Sequence, residues 1–279
     1  MLLSAVCCFA SCGETTVNDD KDDDENKGAS NDDNDTEGDT DTDTDADADK
    51  EGDTDAKKVL KMATNAYFAP YEFYEGSKIV GIDAEIAEAI ADKLGMELVI
   101  EDMAFDSILT AVQNGSVDFG MAGMTVTPDR LKEVNFTISY AKGVQAIIVK
   151  EGSAITHVDD LYAEGATYKV GVQLGTTGDI YASDDFGEGR VTQYTTGNEA
   201  VAALLKGDVD CVIIDNEPAK AYVKNNAGTK ILETTYADED YAICVSKENE
   251  ELLDKLNEAI ADLIADGTVK NIVAKYIKE

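Results

Sequence analysis

Basic residues, histidine and tryptophan are scarce in this sequence. Its 279 residues include 58 Asp and Glu against 23 Lys and Arg, with one His and no Trp, and the formal net charge is −35. A nucleic-acid-binding surface must be basic to displace counterions from phosphates, so the composition excludes that class of protein. The same shortage leaves no basic patch for anionic lipid head groups. No apolar run approaches the roughly 20 residues that a membrane-spanning helix needs.

Motifs for catalysis and for cofactor binding are also lacking. The sequence contains no GxxxxGK[ST] phosphate loop, no metal-ligand cluster and no Ser-His-Asp set, and its single His stands alone. We therefore expect no metal, no cofactor and no hydrolase chemistry.

The first 13 residues, MLLSAVCCFASCG, form an uncharged stretch that ends in small residues. This pattern is typical of a secretory signal, although the usual basic start is missing. Residues 9–13, FASCG, resemble the lipobox of bacterial lipoproteins, in which the Cys is lipidated and becomes the new N-terminus. We predict a lipoprotein signal peptide over residues 1–12. Cys12 would attach the protein, through its lipid, to the outer face of the cell membrane.

An acidic segment follows. Residues 14–56 contain 20 Asp and Glu and 3 Lys, a net charge of −17. No apolar periodicity is present, so burial cannot offset chain entropy, and charge repulsion favours an extended chain. We predict a disordered acidic linker over residues 13–56 that separates the lipid from the folded domain. Calcium binding is the alternative, because carboxylates are ligands of hard cations, but no glycine-turn pattern arranges them around an ion.

From residue 57 onward, short apolar runs alternate with amphipathic helical patterns. The spacing predicts strands over 59–64, 97–103, 117–123, 168–173 and 209–215, and helices over 82–95, 107–115 and 198–207. This alternation is typical of an α/β fold in which helices flank mostly parallel sheets.

One helix–Gly–strand unit occurs twice. Residues 109–118, LTAVQNGSVD, and residues 201–210, VAALLKGDVD, share the same order of helix, Gly, Val-Asp and apolar strand. The repeat predicts two lobes with a ligand cleft at the carboxyl ends of their strands. The run YAICVS over 241–246 is expected to return to the first lobe, which gives two hinge crossings. We assign residues 57–143 and 242–279 to lobe 1 and residues 144–241 to lobe 2.

A candidate anion site lies around Arg130. Thr127 and Pro128 predict a helix start, so Arg130 would lie in the first turn, where the helix dipole disfavours a cation. An anionic ligand would explain this position, and pairing with a neighbour such as Glu133 is the alternative. The turn QLGTTGD over 173–179 could offer further backbone N–H groups to an anion.

A candidate cation site lies at Asp215, which ends the apolar strand of the second repeat. Its carboxylate could receive an ammonium group in the cleft, or it could cap the following helix. One anion site and one cation site together suggest a zwitterion, which is the charge pattern of a free amino acid.

Several stretches of the folded part, in their order and spacing, match a known family. They are residues 63–76, 80–95, 122–130 (AGMTVTPDR), 134–140, 170–179 (VGVQLGTTGD), 209–218 (VDCVIIDNEP) and 241–245. Over about 59–279 the chain resembles the extracellular solute-binding proteins, family 3, which are polar amino-acid receptors of ABC importers. The resemblance implies a two-lobed type II periplasmic-binding-protein fold.

The resemblance implies roles for the groups that bind the ligand's α-carboxylate and α-ammonium. Arg130 matches the arginine that forks the carboxylate, a bidentate charge-assisted contact. Thr125 and Thr176 match donors to the same carboxylate, one from each lobe. Asp215 matches the acceptor of the ammonium group, and Gly123 matches a backbone carbonyl that accepts from it.

Other positions bear on selectivity. Phe68 and Phe105 match the aromatic pair that flanks the ligand side chain, and Gln173 and Met124 are further candidates. Asn65 stands where several relatives have Asp, and a neutral amide lowers the case for a cationic ligand. We expect a neutral polar amino acid first, a cationic one held by cation–π contacts second, and cystine third.

The expected function is therefore capture of a free amino acid between two closing lobes of a monomeric receptor. The receptor would deliver the ligand to an ABC permease and its ATPase. Two alternatives remain. One is an enzyme similar to cyclohexadienyl dehydratases, for which Glu72 or Glu217 would supply the acid. The other is a stand-alone amino-acid sensor.

Two Cys residues lie in the folded part, each within an apolar run. We expect Cys211 and Cys244 to be buried free thiols, because free Cys behaves as a small hydrophobic residue. A disulfide between them is the alternative.

Overall fold

The computed structural model describes residues 57–187, 189–233 and 236–278. The predicted signal peptide over 1–12, the predicted linker over 13–56 and the predicted attachment residue Cys12 lie outside the described residues. None of the helices in the described part is long and apolar enough to cross a bilayer.

Strands and helices alternate along the chain, as the hydrophobic spacing predicts. The strands are β1 Val59–Thr64, β2 Tyr67–Phe68, β3 Glu72–Glu75, β4 Lys78–Val80, β5 Glu97–Asp102, β6 Phe119–Gly120, β7 Val134–Phe136, β8 Ala141–Lys150, β9 Val170–Gln173, β10 Val191–Tyr194, β11 Cys211–Asp215, β12 Thr229–Ile231, β13 Ala237–Tyr241 and β14 Cys244–Ser246. The helices are α1 Ile82–Leu94, α2 Ile108–Gln113, α3 Arg130–Glu133, α4 Asp159–Tyr162, α5 Thr177–Phe186, α6 Gly197–Lys206, α7 Asn216–Asn225, α8 Glu250–Ala265 and α9 Thr268–Tyr276.

The first sheet has five strands in the order β5-β1-β6-β14-β7. β5, β1 and β6 are parallel, and β14 and β7 continue the sheet in antiparallel pairings. The residues that follow the three parallel strands, 65, 103–105 and 121–125, therefore meet at one edge of the sheet. Ligand sites of α/β folds lie at such an edge.

The second sheet has the order β10-β9-β11-β8-β12, and β13 also pairs with β8. β10, β9 and β11 are parallel, whereas β8 is antiparallel to β11, β12 and β13. The chain passes from the first sheet to the second between β7 and β8 and returns between β13 and β14, so the two predicted hinge crossings are confirmed. The strands next to these crossings are antiparallel, which makes both sheets mixed. The lobe boundaries at 143/144 and 241/242 remain predictions.

Helix α1 packs against the first sheet through the predicted apolar stripe. Ile82, Ile86 and Ile90 are fully buried and belong to one core cluster with residues of α8. Full burial of each such side chain contributes about 1.5–3 kcal/mol. The helix stops at Gly95, whose φ of 68° suits the left-handed C-cap that glycine adopts without strain. This packing gives the first lobe a rigid support beneath its cleft edge.

The predicted repeat has the same structure in each lobe. Helix α2 leads into β6, and helix α6 leads into β11, with Gly115 at φ 73° and Gly207 at φ 91° in the two turns. β6 then pairs in parallel with β1, and β11 pairs in parallel with β9. The two copies therefore place their strand ends in equivalent positions.

Among the predicted strands, 59–64 has the predicted bounds, the run 97–103 ends one residue earlier, and the runs 168–173 and 209–215 begin two residues later. Two other runs differ more. The run over 117–123 contributes only Phe119–Gly120, because the chain turns into the cleft edge after it. The run over 241–246 is interrupted at residues 242–243, where the chain leaves β13 in one sheet and enters β14 in the other. The interruption is the second hinge crossing itself.

Cys211 and Cys244 are buried free thiols, as predicted. Burial raises the pKa of each thiol to about 12. Both therefore act as small apolar residues of their cores.

Candidate functional site

A small cavity lies between the two lobes. Its lining contains most of the residues that the sequence singled out. They are Asn65, Phe68, Phe105, Gly123, Thr125, Arg130, Gln173, Thr176 and Asp215. Most of them follow strand ends of the two sheets described above, and Phe68 lies on β2 of a separate three-stranded sheet, β2-β3-β4. The structure thus brings them together around one space, and their contact with a ligand remains a prediction.

Arg130 is buried at the start of α3 and contacts both lobes. Its Nη1 donates to the Thr125 carbonyl at 2.8 Å, and its Nη2 donates to the Gly175 carbonyl at 3.0 Å. Its Cζ lies 5.4 Å from the centroid of the Phe105 ring. Burial lowers the pKa of the guanidinium, but this group stays protonated in proteins. Among the described residues, two of its five N–H donors have an acceptor, so up to three could donate to an anion.

The local structure before Arg130 differs from the predicted helix start. Helix α3 begins at Arg130 itself, and Thr127 precedes it in a turn. The hydroxyl of Thr127 accepts from the Arg130 backbone N–H at 3.2 Å, and its carbonyl accepts from Leu131 N–H at 2.9 Å. Thr127 therefore still caps the segment, and the helix bound was wrong because the preceding residues form a turn.

The predicted donor of the second lobe, Thr176, lies at the start of α5. Thr176 is the N-cap, and its hydroxyl accepts from the Asp179 N–H at 3.3 Å and donates to the Gln173 carbonyl at 2.8 Å. The Asp179 carboxylate accepts from the Gly175 N–H at 2.9 Å, which fixes the loop. Thr176 and Thr177 both line the cavity. The positive end of a ten-residue helix dipole at this point favours an anion.

Asp215 is fully buried at the end of β11 and is the N-cap of α7. Its Oδ1 accepts from the Glu217 N–H at 2.9 Å, and its Oδ2 accepts from the Val144 N–H at 3.1 Å and the Tyr241 hydroxyl at 2.6 Å. Burial raises its pKa to about 6, although these hydrogen bonds oppose the shift. Helix capping and a position at the cavity are thus compatible, and both sequence interpretations fit the geometry.

Side-chain hydrogen bonds also join the lobes directly. Gln173 Nε2 donates to Asn65 Oδ1 at 2.9 Å, and Asn65 Nδ2 donates to the Met103 carbonyl at 2.8 Å. The Tyr222 hydroxyl donates to the Tyr67 carbonyl at 2.8 Å. Together with the Arg130 contacts, these bonds define a closed arrangement of the lobes.

Two buried carboxyl groups of the lining had no ligand role in the sequence analysis. Glu72 was considered only as an enzyme acid, and its two oxygens have no hydrogen-bond donor among the described residues. Glu239 Oε2 accepts from Gln145 Nε2 at 2.9 Å, and Glu239 Oε1 and Gln145 Oε1 are buried without partners in the described part. The signal for Glu239 was its position two residues before Tyr241 on β13, which places both on one face of the strand.

Met124 does not line the cavity, so its assignment as a selectivity residue is corrected. Its side chain is fully buried in an apolar cluster with Ile108, Val112 and Cys244. Its carbonyl accepts from the Ala242 N–H at 3.0 Å. Met124 therefore packs lobe 1 against the second hinge crossing.

The chain belongs to the bacterial extracellular solute-binding proteins, family 3, whose family model matches residues 60–279. Curated relatives are amino-acid-binding proteins of ABC transporters. The chain is 33% identical over 229 residues to the arginine-binding extracellular protein ArtP of Bacillus subtilis strain 168, covering 81% of this chain and 88% of that protein. It is 31% identical over 205 residues to the glutamine-binding protein GlnH of the same strain, covering 72% and 74%.

Solved structures of similar chains share the two-lobed fold. An ancestral arginine-binding protein is 40% identical to this chain and has been solved with glutamine and with arginine, with TM-scores of 0.75 and 0.73. Each alignment covers 80% of this chain and 99% of the ancestral protein. The family and its fold are therefore those of extracytoplasmic amino-acid receptors.

Proposed function

We propose that this protein is the receptor of an amino-acid ABC importer and that its ligand is a cationic amino acid such as arginine. The proposal of a cationic ligand rests on the charged side chains that line the cavity. Glu72, Asp215 and Glu239 line it, and Arg130 is the one basic side chain of the lining in the described residues. Arg130 would pair with the α-carboxylate of any free amino acid, and Asp215 would pair with its α-ammonium group. The carboxyl groups of Glu72 and Glu239 would then have no partner of opposite charge from these α-groups, and a cationic ligand side chain would compensate them.

Residues from both lobes would contact the ligand. From lobe 1, Arg130 forks the α-carboxylate, and Phe68 and Phe105 contact the side chain. From lobe 2, Asp215 accepts from the α-ammonium group, and Thr176 donates to the carboxylate. Because such a ligand contacts both lobes, it stabilises the closed form, which is the shape that the permease recognises.

A neutral polar amino acid such as glutamine is the second candidate. The observation that favours it is the amide pair of Asn65 and Gln173, both of which line the cavity. A ligand amide can replace one member of this pair without a change in charge. An ancestral relative has been solved with glutamine and with arginine, which supports both candidates. Cystine is the third, since a cystine-binding relative from Escherichia coli is 27% identical over 214 residues.

A thermal-shift screen of the protein against the twenty amino acids, ornithine and cystine tests the proposal. A ligand at a hundred times its dissociation constant should stabilise the folded state by about 2.7 kcal/mol. We expect arginine to give the largest shift, followed by lysine or ornithine and then glutamine. A larger shift with neutral polar amino acids than with cationic ones would reverse the order. No shift with any of them would contradict the receptor assignment.

The enzyme and sensor alternatives receive less support. The relatives named above are binding proteins. Of the two acids considered for a dehydratase, Glu72 lines the cavity, whereas the Glu217 carboxylate pairs with Lys220 Nζ at 2.5 Å and is not part of the lining. We therefore propose a receptor without enzymatic activity. A stand-alone sensor would bind the same ligand, and failure of the purified protein to stimulate transport by its permease would favour that alternative.

We also propose a lipid anchor on Cys12, with a signal peptide over residues 1–12, an acidic linker over residues 13–56 and a monomeric receptor. The support is the lipobox-like FASCG sequence together with the extracellular location of the family. Cells fed a labelled fatty acid should label the wild-type protein, and C12A should abolish the label. C8A is the matched control, because Cys8 would be removed with the signal peptide. Equal labelling of wild type and C12A would contradict the anchor.

A further inference from the structure

The carboxyl groups of Glu72 and Asp83 form a buried pair in the wall of the cavity. Glu72 lies on β3 and lines the cavity, and Asp83 lies in the first turn of α1. Both residues are 0% exposed. The Asp83 N–H donates to the carbonyl of Tyr71, the residue before Glu72, at 2.9 Å, and Gly123, whose N–H donates to Asp83 Oδ2, lines the cavity together with Glu72. The pair connects β3 to α1 directly beside the space where the ligand side chain is proposed to bind.

Donors reach only one of the four oxygens of this pair. Asp83 Oδ2 accepts from the Gly123 N–H and from the Tyr140 hydroxyl, both at 2.8 Å. Asp83 Oδ1 and both oxygens of Glu72 are buried without a donor among the described residues. Two carboxyl groups can hydrogen-bond to each other only if one of them carries a proton. A shared proton would therefore give a partner to one oxygen of each carboxyl group and would leave one Glu72 oxygen for a ligand.

In the described part of the chain, no Lys or Arg side chain donates to either carboxyl group of the pair. The neighbouring groups that disfavour ionisation of Glu72 are the carboxyl groups of Asp83 on α1, Asp215 on β11 and Asp102 on β5, and phenols lie nearby. The phenols belong to Tyr71, Tyr140 and Tyr222. Burial, followed by the neighbouring Asp83, raises the pKa of Glu72 well above its ordinary value. The neutral form of Glu72 is thus favoured while the cavity holds no cationic ligand.

We infer that Glu72 and Asp83 share one proton in the unliganded protein, and that this proton leaves when a cationic ligand side chain binds beside Glu72. This inference rests on the proposed function. In the binding step the O–H bond of Glu72 breaks, the proton passes to the buffer, and the carboxylate pairs with the guanidinium or ammonium group of the ligand. The pair would make Glu72 a selectivity residue whose charge follows that of the ligand.

Proton release gives the affinity a defined pH dependence. A ligand that binds the deprotonated form of Glu72 better must bind more tightly as the pH rises. The affinity for arginine should increase by up to about tenfold per pH unit while the unliganded pair still holds its proton. Glutamine has the same α-groups and no side-chain charge, so it should lack this increase. The comparison of the two ligands removes any contribution from Asp215, which faces the α-ammonium in both cases.

Two measurements on the full chain at about pH 8 test the inference. Infrared spectroscopy of the unliganded protein should show the C=O band of a protonated carboxyl group, and arginine should remove it. Calorimetric titration with arginine in two buffers of different ionisation enthalpy should show release of about one proton per ligand, and glutamine should release none. E72Q should lack both the band and the proton release. E75Q is the matched control, since Glu75 is exposed on the same strand, and it should behave as wild type.

D83N provides a second variant if E72Q does not fold. The Asn carbonyl can still accept from Gly123 and Tyr140, and its amide can donate to the Glu72 carboxylate in place of the proton. The band should therefore be absent in D83N as well. Arginine binding without buffer dependence, or a band that persists in E72Q, would overturn the proton release alone. No amino-acid binding in any buffer would overturn both the proton release and the proposed function.

Discussion

Replacement of Arg130 by Ala is expected to weaken amino-acid binding by roughly two to three orders of magnitude. The guanidinium is the single positive charge of the cavity lining in the described residues, and the ligand carboxylate would be buried without it. The variant also removes the donors of the Thr125 and Gly175 carbonyls, which join the two lobes. We therefore expect a larger loss than the removal of a single hydrogen bond would cause. Isothermal titration with the strongest ligand of the screen measures it.

Two further variants separate charge, geometry and stability. R130K keeps a positive charge but loses the fork that binds a carboxylate bidentately, so its affinity should lie between those of wild type and R130A. R190A is the matched control for loss of an Arg. Arg190 donates to the Tyr168 and Leu161 carbonyls and does not line the cavity. R190A should bind ligand as wild type, even if it unfolds at a lower temperature. Wild-type affinity in R130A would contradict the assigned role.

Sequence reasoning worked best where a cavity-lining residue begins or ends a regular element. Asp215 ends an apolar strand and Thr176 begins a helix, so their places follow from the hydrophobic pattern and from capping preferences. Parallel strands then bring their ends to one edge, which is why residues far apart in sequence could be predicted to meet. Arg130 was found in the same way, although its helix starts three residues later than Thr127.

Side-chain direction within irregular segments could not be predicted in this way. Met124 and Thr125 are neighbours in the loop after β6, yet Met124 packs into the core and Thr125 lines the cavity. Neighbouring side chains of an extended segment point to opposite sides, so a motif match cannot decide which of two adjacent residues faces the ligand. The match included both residues, and the structure separates them.

The total charge of the cavity was the other property that could not be predicted from the sequence. Asn65, a neutral residue, favoured a neutral ligand when it was considered alone. The cavity is also lined by Glu72 and Glu239. Glu239 lies on β13, which pairs with β8, and its carboxylate accepts from the side chain of Gln145, 94 residues away. A cavity's potential is a sum over all the groups that face it, so it depends on long-range pairing that one motif does not contain. We therefore base the proposal of a cationic ligand on the charges of the whole lining and not on Asn65 alone.

Replacement of Asp215 by Ala is the second change with a large expected effect. It removes the acceptor proposed for the α-ammonium group, and loss of one partner of a buried charge pair weakens binding by roughly two orders of magnitude. It also leaves the Tyr241 hydroxyl and the Val144 N–H without their acceptor and removes the cap of α7. D215N keeps the size of the side chain and one acceptor oxygen, so its binding should be impaired with less damage to the fold. Isothermal titration of both variants compares the losses, and unchanged affinity in D215N would show that the ammonium binds elsewhere.

The pH dependence of unfolding distinguishes the charge of Asp215 from its hydrogen bonds. Burial raises its folded-state pKa from 3.8 to about 6, so its contribution to stability is fully present below the ordinary value and is lost as the pH rises through about 6. D215N does not titrate there. Wild type should therefore lose stability relative to D215N between about pH 4 and about pH 7, by at most about 3 kcal/mol at 1.36 kcal/mol per pKa unit. Glu72 and Asp83 are present in both proteins, so their titration cancels in the difference. Urea unfolding across this range measures this difference in stability, and a difference that stays constant or changes in the opposite direction would contradict the raised pKa.

A saturating cationic ligand should reduce the pH dependence of the wild type, because the ligand's ammonium group stabilises the ionised carboxylate that burial disfavours.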